Sequence, residues 1–137
     1  MKKLHEFLYQ YGLHDCQLNN VSFEKQTILF CFDSGVYELN STGKETKKTK
    51  PCKMIIEIDS RFSNELSDHI EIICLSRKKI EEIDFESFAH LFQRYQLVVD
   101  MIYYSYFCNT IMLIGYMNNK KYELTVSEIN KIDFSFS

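Results

Sequence analysis

The chain is short of the residues that break or bend a backbone: it has one proline, four glycines and no tryptophan in 137 residues. So little proline and glycine excludes collagen-like or Pro/Gly-rich low-complexity organisation, and leaves regular elements joined by short polar turns. No apolar run approaches the roughly 20 residues of a spanning helix. The opening MKKLHEFLYQYGLHD carries two lysines, but His5, Glu6 and His14 interrupt its apolar part, so it lacks the form of a signal peptide. A cytoplasmic location and no membrane partner are expected.

Motifs are missing as well. Five cysteines, at positions 16, 31, 52, 74 and 108, form no CxxC pair. An odd number of thiols scattered through apolar stretches reads as free, buried cysteine in a reducing compartment, without disulfides. A zinc site would need folding to bring them together. There is no GxSxG elbow, P-loop, Gly-rich dinucleotide loop or HExxH spacing. The sequence therefore assigns no catalytic residue, no metal ligand and no cofactor. A net charge of −3 and a pI near 5.8 argue against general nucleic-acid affinity. Residues 1–56 hold eight Lys/Arg against six Asp/Glu, a net of +2, and residues 57–137 hold eight against thirteen, a net of −5.

What is abundant is aromatic: 11 Phe and 9 Tyr, within ordinary hydrophobic (45%) and charged (26%) fractions that argue against disorder. The strongest pattern runs from Gln96 to Val126. Gln96 to Phe107 and Asn109 to Asn118 are β-branched and aromatic throughout, and Lys120 to Val126 alternates. A turn at Cys108-Asn109 pairs Phe107 with Thr110, Tyr104 with Leu113, Ile102 with Gly115 and Met101 with Tyr116. A turn at Asn118-Asn119 pairs Tyr122 with Gly115, Glu123 with Ile114 and Leu124 with Leu113. Alternation then sorts two faces. Ile102, Tyr104, Tyr106, Ile111, Leu113, Tyr122, Leu124 and Val126 form a core face, with Asp100 near its end. Val99, Met101, Tyr103, Met112, Ile114 and Tyr116 lie on the other face, beside Lys121, Glu123 and Thr125. That second face is either covered by a helix or an exposed contact surface. A helix over residues 84–95, capped by Asp84 and carrying Phe85, Phe88, Leu91, Phe92 and Tyr95 as one stripe, is the expected cover.

The remaining elements are shorter. Leu4, Phe7, Leu8 and Tyr11 predict an N-terminal helix over Lys2–Tyr11, ended by Gly12. Cys16–Lys25, bulged near Asn19-Asn20, Thr27–Phe32 and Val36–Leu39 read as a meander with turns at Lys25-Gln26 and Asp33-Ser34-Gly35. Residues 40–51 read as a lysine-rich loop. Lys44, Lys47, Lys48, Lys50 and Lys53 suit phosphate, but the local sequence offers no stacking ring or basic helix, so a solvated loop is expected. Lys53–Asp59 and Asp68–Ser76 are strands, with a turn at Arg77-Lys78-Lys79. Thr125 and Glu128 have capping-box spacing for one helical turn, and Ile132, Phe134 and Phe136 follow at strand spacing.

His14-Asp15 is the one pair with chemical potential. Adjacent imidazole and carboxylate suit metal binding or acid–base work, and equally suit anchoring the turn between first helix and first strand. Leu13-His14-Asp15-Cys16-Gln17-Leu18, followed by the Val21/Phe23 strand, the Ile28–Phe32 strand and Gly35, resembles the opening of small uncharacterised bacterial domains that read LHD-x-x-I. Some of these resemble toxin-immunity proteins. Here Gln17-Leu18 stands where a charged residue and Ile or Val are usual. The resemblance spans about the first forty residues and implies a β-rich, non-enzymatic fold, with no catalytic residue to carry over.

The expectation is one domain over residues 1–137 of α+β class, mainly antiparallel sheet, with a short N-terminal helix and one near residues 84–95. Its function is expected to be non-enzymatic protein interaction, of immunity type, through Met101, Tyr103, Met112 and Tyr116. A homodimer contact on that face is a further expectation. The alternative is a small metal-binding or hydrolytic domain using His14 and Asp15.

Overall fold

The computed structural model describes residues 4–61, 65–106 and 109–137. Among the described residues, thirteen strands form three antiparallel sheets. The largest has six strands: β2 (Gln17–Leu18), β10 (Leu97–Ser105), β11 (Thr110–Met117), β12 (Lys120–Val126), β8 (Ile70–Ser76) and β9 (Lys79–Ile83), in that spatial order. A second sheet orders β13 (Ile129–Phe136), β7 (Cys52–Ile58), β4 (Thr27–Phe32) and β3 (Asn20–Glu24). A small third sheet orders β1 (Tyr11–Gly12), β5 (Tyr37–Leu39) and β6 (Glu45–Lys48). The fold is thus mostly antiparallel sheet, with little helix.

One core joins the two large sheets. Leu97, Val99, Leu113 and Leu124 from the six-stranded sheet and Ile28, Phe30, Phe32, Met54 and Ile56 from the four-stranded sheet are fully buried in the same cluster. Each such side chain contributes about 1.5–3 kcal/mol by leaving water. The chain passes between the sheets at Asn19, where β2 gives way to β3, so the expected bulge is a change of sheet. It passes again after β12, at Glu128, whose φ is +54°.

The second hairpin follows expectation. Asn118 and Asn119 both take left-handed backbone (φ 52° and 63°), and Tyr122 lies opposite Gly115. The first hairpin is two residues out of the expected register: Ser105 pairs with Thr110, Tyr104 with Ile111 and Ile102 with Leu113. The described pairing therefore ends at Ser105 and Thr110, and Phe107 and Cys108 of the expected turn lie outside the described residues. An even shift preserves the faces, which is why Ile111 and Leu113 are buried as expected. A bulge at Asp100 then changes the phase, and Val99 pairs with Gly115 on the buried face rather than on the opposite one. Tyr106, placed in the core by alternation, is exposed beyond the strand end.

The expected meander of three strands is corrected. β4 spends its free edge on β7, with Phe32 opposite Cys52, so β5 pairs with β1 and β6 instead. Part of the 40–51 loop is consequently the strand β6. Its hairpin is closed by Asn40, whose side-chain Oδ1 accepts from the Thr42 and Lys44 amides at 3.0 Å each. At the N-terminus a 3₁₀ turn (Leu4–Glu6) runs into the single turn α1 (Phe7–Gln10). Lys2 and Lys3 lie outside the described residues. Gly12 does not cap this turn; it sits in β1, where a Cβ would come within 3.1 Å of Leu39. The capping-box turn at Thr125–Glu128 is not helical, because β12 runs through Val126 and β13 begins at Ile129.

The helix α2 (Phe85–Leu91) is shorter than residues 84–95, and Asp84 caps it by accepting from the Ser87 amide at 2.7 Å. It does not cover the second face of the β10–β12 hairpins. Phe88 packs against Tyr122 (ring centroids 5.6 Å apart), a core-face residue, and Phe85 stacks on Phe23 of β3 at 3.9 Å. α2 closes an edge of the two-sheet core and leaves the outer face uncovered. No helix among the described residues is long and apolar enough to cross a membrane.

Candidate interaction surface

Cross-strand register assembles the outer face of the six-stranded sheet from five strands. One row runs Val98, Tyr116, Lys121, Leu75, Ile80. The next runs Met101, Ile114, Glu123, Ile73, Glu82, and a third runs Tyr103, Met112, Thr125, Glu71. Met101, Tyr103 and Tyr116 are 45%, 46% and 48% exposed. Met112 is half-buried between neighbours, and Ile114 is almost closed off. The Tyr103 hydroxyl donates to the Met101 sulfur at 2.9 Å, which fixes these two side chains together. Tyr and Met present large, adaptable contact area and are enriched in interface cores.

Only half of this surface is readable from the hairpin residues. Its extension through Ile73, Leu75 and Ile80 depends on β8 pairing with β12 and on β9, a strand not expected from the sequence. The available signal was the turn at Arg77-Lys78 followed by Ile80-Glu81-Glu82-Ile83. The extension sets an apolar centre against Glu71, Glu82 and Glu123, with Lys121 as the counter-charge within the rows.

His14 and Asp15 lie at the edge of the same sheet. Leu13 to Cys16 form a turn closed by the Cys16 amide donating to the Leu13 carbonyl at 3.0 Å, with Asp15 at φ +64°. The Asp15 amide donates to the Val99 carbonyl at 2.8 Å. His14 Nδ1 lies 2.7 Å from the Asp100 carbonyl, and since a carbonyl only accepts, Nδ1 carries the proton. The β10 bulge turns that carbonyl out of the ladder, and His14 satisfies it. His14 Nε2 sits 3.4 Å from Asp15, and Nδ1 sits 3.9 Å from the Asp100 carboxylate. The bond to the Asp100 backbone, then the Asp15 charge, raises the His14 pKa above its ordinary 6.5. The side chain remains 58% exposed. Met101, Glu45 and Leu39 join His14 and Asp100 around a shallow cavity of about 280 Å³.

No family model, curated protein or solved structure matches this chain. The chemistry of the site must therefore be read from its own geometry. Burial raises the thiols of Cys16, Cys31 and Cys52, which keeps them protonated and poor nucleophiles at neutral pH. These and Cys74 are free. Among the described residues, no three His, Cys, Asp or Glu side chains are placed to hold a metal ion. One polar cluster escaped the sequence reading. His69 is buried with Nδ1 3.1 Å from Glu128, and Asp59 is held by Arg61 at 2.6 Å. It braces the crossing from β12 to β13, where the Asp59 amide donates to the Glu128 carbonyl and the Ser127 amide to that of His69.

Proposed function

We propose that this protein is a non-enzymatic interaction module that binds a protein partner through the outer face of its six-stranded sheet. The observation that carries the reading is the cluster of Met101, Tyr103 and Tyr116 on one face, each nearly half exposed, around an enclosed Ile114. Apolar area left in water on a sheet face is costly unless something covers it, and contiguous patches of this kind mark interaction sites. Glu71, Glu82 and Glu123 on the same face favour a partner with basic groups around an apolar centre. Complementary charge of this kind governs encounter and specificity more than final affinity. An immunity-type role, neutralising a basic partner by occlusion, fits that chemistry and the LHD-type opening.

The test uses the double variant Tyr103→Lys/Tyr116→Lys, whose exposed positions should leave the free energy of unfolding in urea within about 0.5 kcal/mol of the parent. Parent and variant are used as baits at low and moderate salt, and their masses are measured by light scattering. A retained species lost with the variant and weakened by salt supports the reading. Equal retention by both baits sinks it. A parent dimer that the variant dissociates makes the face a contact between copies of this chain instead.

The rival reading, a metal-binding or hydrolytic site at His14 and Asp15, draws on the pairing of His14 Nε2 with the Asp15 carboxylate at 3.4 Å. It competes with a local role, because the His14 Nδ1 proton is already committed to the Asp100 carbonyl. Stoichiometric zinc, manganese or iron in the purified protein, lost on His14→Ala, would favour this rival.

A further inference from the structure

The fold brings aromatic rings to lysines that have none nearby in sequence. β6 carries Lys47 and Lys48, and Lys50 follows it. β1 lies in the same small sheet and supplies Tyr11, and the end of β13 supplies Phe136. These residues and Glu38 line a cavity of about 310 Å³. Its size is at the lower end of the roughly 300–1,000 Å³ range of small-molecule sites.

The two rings are 5.6 Å apart between centroids, and Phe136 remains 41% exposed. That exposure does not come from a loose strand end. The Ser137 amide donates to the Pro51 carbonyl at 3.0 Å, and Phe136 also stacks towards Phe134. Phe136 thus keeps part of its ring open to solvent beside the lysines. The lysines are graded in availability. Lys48 is anchored 4.7 Å above the Tyr37 ring and donates to the Gly35 carbonyl at 3.5 Å. Lys47 pairs with Glu38 at 3.5 Å near solvent. The Lys50 ammonium makes no hydrogen bond or ion pair among the described residues.

We propose that this pocket binds a nucleoside monophosphate, with the base stacked on Phe136 and the phosphate held by Lys47 and Lys50. Three lysines against one glutamate leave a local charge near +2, which complements the −1.5 to −2 of a phosphate monoester at pH 7. A carboxylate would need only one of these cations. Aromatic stacking tolerates any base, so the site prefers a planar ring without selecting its identity. The pocket belongs to the small sheet and the four-stranded sheet, so its occupancy is independent of the interaction face.

Calorimetric titration of the whole protein tests this with adenosine and uridine 5′-monophosphates, adenosine, inorganic phosphate and a single-stranded decanucleotide. The monophosphates are expected to bind below about 1 mM, and adenosine and phosphate at least about tenfold more weakly. Lys47→Ala/Lys50→Ala should weaken the monophosphates by about tenfold or more. Phe136→Leu, which keeps apolar bulk and removes the ring, should weaken them similarly, while Tyr103→Lys/Tyr116→Lys leaves them unchanged. Absence of saturable binding by either monophosphate overturns the proposal. So does full affinity in the double lysine variant, or binding confined to the decanucleotide.

Discussion

At Gly115 the requirement is for the absence of a side chain. An added Cβ would lie 2.7 Å from the Val98 carbonyl oxygen and 2.8 Å from the Leu97 side chain. Tyr122 stands opposite on β12, but it is the approach of β10 that excludes a methyl group. Gly115→Ala should cost about 1–3 kcal/mol by overpacking, measured as a lower urea midpoint; a neutral substitution would show that β10 can move aside. His14 makes a pH-dependent contribution. Its folded pKa lies above 6.5, so the stabilisation is fully present below the unfolded pKa and is lost as pH rises through the folded value. The gap in urea midpoint between parent and His14→Ala should therefore be wider at pH 5 than at pH 8. A gap that stays constant across that range would remove the imidazolium from the account and leave only packing.

Among elements, the β5–β6 hairpin should be the least protected described sheet. All four β6 side chains are exposed, and its short ladder is irregular between Tyr37 and Leu39. Local opening is governed by how much apolar surface an element buries. Amides of β5 and β6 should exchange on the order of 100-fold or more faster than those of β11 and β12; equal protection would make the small sheet part of the global cooperative unit. α2 illustrates how pattern and placement separate. Its stripe and Asp84 cap are evident from residue spacing. Where the stripe docks is decided by Phe23 and Tyr122, which belong to distant strands.

Across the whole molecule, two hairpins were legible in sequence from their turns, whereas Asp33-Ser34-Gly35 precedes a strand that pairs elsewhere than with β4. Asn118-Asn119 sets its register because asparagine tolerates positive φ and the flanking strands alternate, and the two-residue turn at Lys25-Gln26, with Lys25 at φ 55°, sets that of β3 and β4. The β10–β11 register was not legible, because the pairing closes at Ser105 and Thr110 rather than next to a two-residue turn at Cys108-Asn109, and a bulge at Asp100, which leaves no compositional mark, then costs one further residue of phase. His14 and Asp15 were visible as a pair, but their link to β10 depends on residues 86 positions away. Met101, Tyr103 and Tyr116 were correctly grouped on one face, since an even register shift does not change side-chain direction. The sequence could not say that this face is bare. Alternation and turn chemistry, which act over a few residues, determined an antiparallel protein with an aromatic sheet face. Which edges paired, which face the helix took and which rings met the lysines were decided only in three dimensions, by competition among distant apolar surfaces for one core.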